Sequence, residues 1–510
     1  MSVQKETNSR KIEDSSDFDV AIIGAGINGA VAAAALSASG LKVLLIDKGD
    51  FAGFTSQESS NLVWGGIKYL QSYEFWLVFK LSLARNRLMR SYPNQIKEIG
   101  FLASIGPTAP FGRVLGTFGT LFYWGIGLFG TQSPRSYSAK RAKELEPNLI
   151  KGRKAVKYFD AQLPDNDSRF VYDFIRNAKA KGASARNYTE LKGAEFVGGQ
   201  WQLSLISGEK PENVTAKAVV NSAGPFSGNV SELLGSKTKA SLVFSKGIHL
   251  ILNRRIAKDD QVLAFWDEQE RLFYVLPMGD RSMVGTTDTR VDSPETEVTQ
   301  EDRDFVIRQI NAQLELEVPI SYDQVISERC GVRPLVVESK SDEAVTDWHQ
   351  LSRKHILEID RNQNVVTILG GKLTDCLNIG QETIAEIRKL GLHAHNPGRW
   401  FGEGDQARKQ EFFAVISAQV KDSAAATRIA EGLWRRQGAK AFEIIVGKSV
   451  TEIIPGIGVT EAEIRHVANH EDVRVREDLL RRRLPISMTR SPQELASNKE
   501  LEKLLVELGL

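Results

Sequence analysis

The chain has 510 residues, too many for one ordinary core, so two or three domains are expected. Hydrophobic residues make up 42% and charged residues 25%, the balance of a soluble globular protein. A formal net charge of +2, from 66 basic and 64 acidic residues, argues against nucleic acid as the main partner. The two cysteines, Cys330 and Cys376, stand in no C-x-x-C spacing. They read as small buried residues in a reducing compartment rather than a metal or redox pair. The stretch 1–16 is polar and charged without the apolar core of a secretory signal. It is predicted to be a disordered tail, and a cytoplasmic location is expected.

The first ordered pattern is Asp19-Val20-Ala21-Ile22-Ile23 followed by Gly24, Gly26 and Gly29 in G-x-G-x-x-G spacing. An alanine-rich helix and a second apolar strand, Lys42 to Ile46, lead to Asp47, 23 residues beyond Gly24. Strand, glycines, small-residue helix, strand and acid in that order predict a βαβ unit that binds a dinucleotide. Gly24 permits the tight turn, Gly26 admits a pyrophosphate, and Gly29 lets helix and strand pack closely. The helix N-terminus offers N–H groups and partial positive charge to the phosphates, and Asp47 accepts from the ribose. These glycines alone do not separate NAD from FAD.

The segment TSQESSNLVWGGIKYL, Thr55 to Leu70, follows. Its hydroxyls, Thr55, Ser56, Ser59 and Ser60, suit either helix capping or contacts to phosphate and ribose. Gly65-Gly66 permits close approach to a flat ligand. A helix is predicted over Glu74–Met89. The run Val114–Gly130 carries no charge across 17 residues and is rich in aromatics and glycine. It suits a buried or partner-facing helix as well as an apolar surface that dips into a membrane, and is short for a bilayer span. Further on, a helix is expected over Asp167–Lys181, with strands at Glu195–Val197 and Trp201–Ile206. Ala218–Val220 enters the turn Asn221-Ser222-Ala223-Gly224-Pro225, which would bring Gly224 near the cofactor. From Ser241 to about Arg353 the pattern is β-rich, interrupted by a charged helix at Glu301–Leu314. Val365–Leu369 then meets Gly370-Gly371-Lys372-Leu373-Thr374 and a helix over Asn378–Leu390, a second anion or cofactor contact. Residues 410–510 are helical by pattern, and the run Arg481-Arg482-Arg483 reads as a solvated face.

These segments, with KGIH at Lys246–His249, GTTD at Gly285–Asp288 and GVRPL at Gly331–Leu335, resemble the FAD-dependent glycerol-3-phosphate dehydrogenases and oxidases of the D-amino-acid-oxidase-like flavoproteins. The resemblance spans the chain after about residue 17 and includes EAEIRHVANHEDVRVREDLLRRR near its end. It implies an α/β FAD-binding Rossmann-type domain (17–90, 155–240 and 354–396). It also implies an inserted, mostly antiparallel β-sheet substrate domain (91–154 and 241–353) and a C-terminal all-α domain (397–510). The implied reaction moves hydride from sn-glycerol 3-phosphate to the flavin, and the electrons pass to a quinone or to oxygen. The implied cofactor contacts are Gly24, Gly26, Asn28, Gly29, Asp47, Lys48, Thr55, Ser56, Ser59, Ser60, Leu62, Gly65, Gly66, Gly224, Gly371, Lys372, Leu373 and Thr374. Catalytic and substrate contacts fall on Lys68, Tyr69, His249, Arg333 and Lys372. Arg333 offers the planar fork that a phosphate dianion favours, and Lys372 neutralises substrate or flavin pyrimidine. His249 is expected to take the hydroxyl proton, because an ordinary imidazole titrates near neutrality.

The chain departs from that family at three places on the substrate side. Trp64 stands where histidine precedes Gly-Gly, Lys68 replaces an arginine, and Asp375-Cys376-Leu377 replaces Thr-Tyr-Arg. Two further functions therefore stay open: oxidation of another small anionic alcohol, 2-hydroxy acid or amine, and a non-catalytic flavin-binding partner. Peripheral contact with the inner face of the cell membrane is expected if the acceptor is a quinone. Oligomeric state is unreadable from the sequence, with a homodimer kept open.

Overall fold

The computed structural model describes residues 16–258, 260–337 and 354–510. The predicted tail, up to residue 15, and positions 338–353 of the predicted insertion lie outside the described residues. Two sheets organise the rest. In the first, Phe18–Ile23 lies between Lys210–Asn221 and Val43–Ile46, all parallel, with Ile22 level with Val220 and Leu45. Ser184–Arg186 extends one side, and Val365–Leu369 followed by Ile356–Asp360 the other. Strands covered on both faces are apolar throughout, and all four residues of Val43–Ile46 are buried. Helix α1, Ile27–Ala38, is buried from Asn28 to Ser37 and packs between the helices Asp167–Ala180 and Cys376–Lys389. Its alanines bring those helices close, and being covered all round explains why it has no polar face.

Among the described residues the second sheet has ten strands, paired antiparallel except for Gln261–Trp266 beside Lys97–Ile105. Its longest pair, Ser241–Leu252 against Val325–Val337, lies at one edge among the described residues. Lys97–Ile105, a strand the sequence pattern did not signal, joins Lys154–Gln162 in this sheet, and Leu62–Val63 closes its edge. Sheet membership thus crosses the sequence division at residue 155. From Lys409 to Glu507 the regular elements among the described residues are helices.

Helix α2 spans Phe75–Ser91 and α3 spans Arg113–Ile126. Helix α3 turns Gly116, Thr120 and Tyr123 inward, three and four residues apart. Its opposite face leaves Val114, Leu115, Phe118 and Phe122 more than half exposed. Phe75 at the start of α2 meets Phe122 edge to face at 5.6 Å, and Trp76 beside it is 66% exposed, so one apolar patch spans both helices. No helix among the described residues is long and apolar enough to cross a membrane.

The arginine run near the C-terminus is not a solvated face. Arg481, Arg482 and Arg483 are all buried. Arg483 makes a bidentate pair with Asp50 at 2.8 and 2.9 Å, and Arg482 reaches Asp50 at 2.7 Å and Asp478 at 2.6 Å. Arg481 donates to the Gln57 carbonyl and to Asn166 Oδ1. Burial alone would push the Asp50 carboxyl up, but Arg483 and Arg482 hold it below the usual carboxylate range. Composition suggested solvent because runs of like charge repel; Asp50 and Asp167 from distant segments, with Asp478 from the adjoining turn, remove that objection. Arg483→Ala leaves Asp50 buried with one partner fewer and is expected to cost about 3–5 kcal/mol in urea unfolding. The exposed control Arg141→Ala should stay within about 0.5 kcal/mol, and equal losses for the two would refute the buried-pair account.

Candidate functional site

The glycine turn is built by crowding. Gly24 has φ +97°, and a Cβ there would meet the Ser222 carbonyl and Ala223 Cα at 2.7 Å. A Cβ on Gly29 would stand 1.9 Å from the Gly24 carbonyl and 2.7 Å from Ser222 Oγ. The Asn221–Pro225 turn is therefore pressed onto the glycine turn, as its sequence suggested. Gly26 caps α1, and Ser56 Oγ accepts from the Ile27 N–H at 3.0 Å. Asp47 accepts from the Ala25 N–H at 2.7 Å and the Gly49 N–H at 2.9 Å. Its carboxyl is pushed up by burial, against the pull of those two backbone donors. Lys48 lies 4.0 Å over the Phe226 ring, just past Gly224, whose φ is +58°.

The second glycine pair docks on the first unit. Asn28 Nδ2 donates to the Gly370 carbonyl at 2.9 Å, and a Cβ on Gly371 would meet Asn28 Oδ1 at 3.2 Å. Asn28 Oδ1 itself is buried and unpartnered. Thr374 in the turn Leu373–Asp375 donates to the Trp64 carbonyl at 3.2 Å, and Lys372 Nζ donates to Tyr69 Oη at 2.7 Å. Lys68 Nζ stands 5.9 Å from the same Tyr69 ring. Lys68, Tyr69, Lys372 and Thr374 are thus brought together.

Not every hydroxyl of the Thr55–Leu70 segment faces this place. Ser59 donates its N–H and its hydroxyl to Asp167, while Leu62 pairs with Gln162 in the second sheet. Ser60 lines a separate cavity of about 240 Å³ against the C-terminal helices. Gly65 and Gly66 are demanded by the protein itself. A Cβ on Gly65 would collide with Tyr123 Oη at 2.2 Å, and Gly66, at φ +88°, would press on the Tyr69 ring at 2.8 Å.

His249 and Arg333 stand on neighbouring strands of the second sheet. His249 is level with Arg329, and Ser245 with Arg333, so all four side chains share one face. Between those pairs Gly247 faces Gly331, and Arg333 lies across Gly247. Arg333 donates to Thr286 Oγ1 at 3.2 Å and lies 3.6 Å from Asp288, both in the GTTD stretch. Lys246 of the same strand is taken up by Asp302. Thr55 donates to the Val332 carbonyl at 2.7 Å, and Arg329 donates to the Ser59 carbonyl and Asn61 Oδ1. The Thr55–Leu70 segment therefore touches both groups of predicted residues. The reason for choosing His249 needs correction: burial and the charges of Arg329 and Arg333 hold its pKa well below 6.5. It is a neutral imidazole at pH 7, with both ring nitrogens buried and unpartnered.

Sequence reasoning missed Arg329, Asp167, Glu58 and His355. Arg329 was discoverable, since it lies two and four strand positions before Gly331 and Arg333 and so shares their face. Burial pushes the Glu58 carboxyl up to about 7, although Arg481 and Arg329 pull it down. His355 joins Asp375 at 2.8 Å through Nδ1 and Glu382 at 2.7 Å through Nε2. Burial would lower its pKa, but the two carboxylates raise it to about 9.

The residues fit a bound dinucleotide: glycines that no Cβ can replace, a helix N-terminus beside Ser56, and orphaned polar atoms on Asn28 and His249. Fold and site define a dinucleotide-dependent oxidoreductase. The family model described as FAD dependent oxidoreductase matches residues 19–371, so the chain belongs to that family and FAD is its cofactor. The chain is 29% identical over 482 residues to the mitochondrial glycerol-3-phosphate dehydrogenase of Bos taurus, covering 88% of this chain and 64% of that protein. It thus spans less than two-thirds of that relative's length. To the aerobic glycerol-3-phosphate dehydrogenase of Staphylococcus aureus it is 28% identical, covering 86% and 80% of the two chains. Among solved structures, glycerol-3-phosphate dehydrogenase from Bacillus halodurans complexed with FAD superposes with a TM-score of 0.69 at 22% identity, covering 96% of this chain and 91% of that one. L-alpha-glycerophosphate oxidase from Mycoplasma pneumoniae gives 0.58 at 17% identity, covering 76% and 98%.

The raised pKa of His355 has a definite sign. Its stabilisation is fully present below pH 6.5 and is lost as pH rises through about 9. The full effect is about 3 kcal/mol as an upper bound. Melting curves of the wild type and His355→Gln should differ most at the acid end of that window and converge at its alkaline end. A gap independent of pH would refute the assignment.

Proposed function

We propose that the chain oxidises sn-glycerol 3-phosphate to dihydroxyacetone phosphate, with the bound flavin supplying the hydride acceptor. One observation carries this reading: the Thr55–Leu70 segment joins a strand face bearing Arg333 and neutral His249 to the Lys372–Tyr69 pair. A phosphorylated alcohol needs these groups. Arg333 is the guanidinium for the phosphate dianion, with Lys68 as a second positive charge. His249, neutral and with free lone-pair capacity, accepts the hydroxyl hydrogen bond and orients the carbon that loses hydride. Lys372 places positive charge at the end of the cofactor where negative charge develops. Asp47 takes the ribose hydroxyls, with α1 and Ser56 at the phosphates. The names of the relatives support the same substrate.

The domain division belongs to the same proposal: 17–90, 155–240 and 354–396 as the FAD-binding unit, 91–154 and 241–353 as the substrate unit, and 397–510 as a helical unit, with Leu62–Val63 and Lys154–Gln162 pairing in the substrate unit's sheet. The acceptor is a quinone, with oxygen as the alternative. The exposed apolar face of α3 is the place where the protein meets a bilayer, at the inner face of the cell membrane. A homodimer is compatible with that placement. Trp64, Lys68 and the Asp375–His355 pair favour a second reading, oxidation of another small anionic alcohol by the same groups.

Anaerobic mixing with glycerol 3-phosphate should bleach the flavin, and a panel of 2-hydroxy acids and amines should not. Arg333→Met should raise KM at least about tenfold, the weight of one charge-assisted pair. Bleaching by a panel member alone would transfer the assignment to the second reading, and bleaching by nothing would end both. For the membrane contact, the wild type should float with anionic lipid vesicles and Phe118→Asp/Phe122→Asp should stay in the dense fraction. Equal flotation would remove α3 from the contact.

A further inference from the structure

The turn that carries Lys68 and Tyr69 rests on a buried polar cluster for which the reaction has no direct use. Asp160, on the Lys154–Gln162 strand, accepts on Oδ1 from the Gly65 N–H at 3.0 Å and from Arg85 Nη1 at 2.9 Å. Its Oδ2 accepts from the Tyr123 hydroxyl at 2.8 Å, and Arg85 Nη1 also points at Tyr123 Oη at 3.1 Å. Arg85 is fixed from its other side, donating through Nε and Nη2 to Asn86 Oδ1, and Asn86 in turn donates to the Gly127 carbonyl. Arg85, Asp160 and Tyr123 are exposed by only 1%, 0% and 2%.

Stability is a poor explanation for such a pair. Desolvating a guanidinium and a carboxylate offsets most of their attraction, and an apolar pair of equal volume serves folding as well. The cluster instead supplies a fixed acceptor to one backbone N–H. Gly65 is pressed against it so closely that a Cβ would stand 2.2 Å from Tyr123 Oη. Gly66 follows at φ +88°, its carbonyl accepts from the Tyr69 N–H at 2.9 Å, and the short turn Ile67–Leu70 begins there. The next side chains are Lys68 and Tyr69, and Tyr69 holds Lys372. Rotating the Gly65 peptide would swing the turn, because between the paired Leu62–Val63 and Tyr69 the other bonds to distant residues are those of Thr374 to the Trp64 carbonyl and of Lys372 to Tyr69.

We propose that Asp160, steered by Arg85 and Tyr123, is a positioning residue: it fixes the Gly65 N–H and thereby sets where Lys68 and Tyr69 stand at the reacting end of the site. The three groups come from α2, α3 and a strand of the second sheet, so this hold registers the turn against the second sheet, while Thr374 and Lys372 tie it to the second glycine pair. The substrate reading gives Lys68 and Tyr69 their use, and the proposal rests on it only for that.

The test separates charge from acceptor. In Arg85→Met/Asp160→Leu both charges go and Gly65 loses its acceptor. In Arg85→Met/Asp160→Asn the charges go but an amide carbonyl keeps the bond. Both avoid an uncompensated buried charge and therefore fold. Each FAD-loaded protein is compared with wild type by deuterium uptake over Asn61–Ser72, by flavin circular dichroism, and by kcat and KM for glycerol 3-phosphate. The leucine variant should lose protection in that segment, change the flavin dichroism and fall about a hundredfold in kcat, the penalty for a misplaced reacting group. The asparagine variant should retain protection and keep kcat within a few-fold. Wild-type protection and dichroism in the leucine variant would overturn the proposal, as would equal losses in the two variants. If the wild type does not turn over glycerol 3-phosphate, the substrate reading fails by itself, and deuterium uptake with flavin dichroism still decides the role of Asp160.

Discussion

A guanidinium taken out of water must meet a carboxylate or a set of carbonyls. Four arginines impose that condition around the Asp50–Asn61 region of the chain. Arg482 and Arg483 close on Asp50, and Arg329 and Arg481 approach Asp167 at 3.7 and 3.5 Å. Asp167 begins the helix Asp167–Ala180, where the backbone dipole also favours a negative group. The same acid takes the hydroxyl and N–H of Ser59. One carboxylate thus ties together the cofactor segment, the strand bearing Arg333 and the C-terminal helices. None of these parts can be displaced without exposing or orphaning a charge.

That arrangement explains why the site is divided as it is. The first glycine turn is held by close packing on the Asn221–Pro225 turn, by the Ser222 hydroxyl on the Gly24 carbonyl and by Asp47 on the Ala25 N–H. The Thr55–Leu70 segment has no parallel sheet to lie on. It is held by side chains instead: Thr55 on the Val332 carbonyl, Ser59 on Asp167, Gly65 on Asp160 and the Trp64 carbonyl on Thr374. A loop held by many different partners has one conformation that satisfies them all. That is what groups at the reacting end of an oxidoreductase require, because reaction depends on their separation and angle.

The legible parts of the sequence are those whose cause is local. Gly24, Gly26 and Gly29 could be read because the turn, the helix start and the close packing all lie within one short stretch. The strand Val365–Leu369 was legible for the same reason, an apolar run that stops at two glycines. The Arg481–Arg483 run misled because its partners lie elsewhere: Asp50 is 432 residues from Arg482. The strand Lys97–Ile105 gave no alternation to find, since Gly100 to Ser104 are buried on both faces. His249 was found by type but misjudged in character, because its burial and the two arginines of the facing strand, which together depress its pKa, are not visible along the chain.

The same reasoning revises what the substitution at Asp375 means. Read along the chain, an acid gained at Asp375 and a cation lost at Leu377 make the far end of the cofactor site more negative. In three dimensions His355 donates to that acid and to Glu382, and its raised pKa keeps it charged at neutral pH. The hairpin of Ile356–Asp360 with Val365–Leu369 brings this histidine back beside the Leu373–Asp375 turn. The added negative charge is therefore answered locally, and Lys372 keeps its own engagement with Tyr69. With Glu382 sharing the same imidazolium, two carboxylates meet one positive charge there, so the positive charge at the Tyr69 side of the site is carried by Lys372 and Lys68.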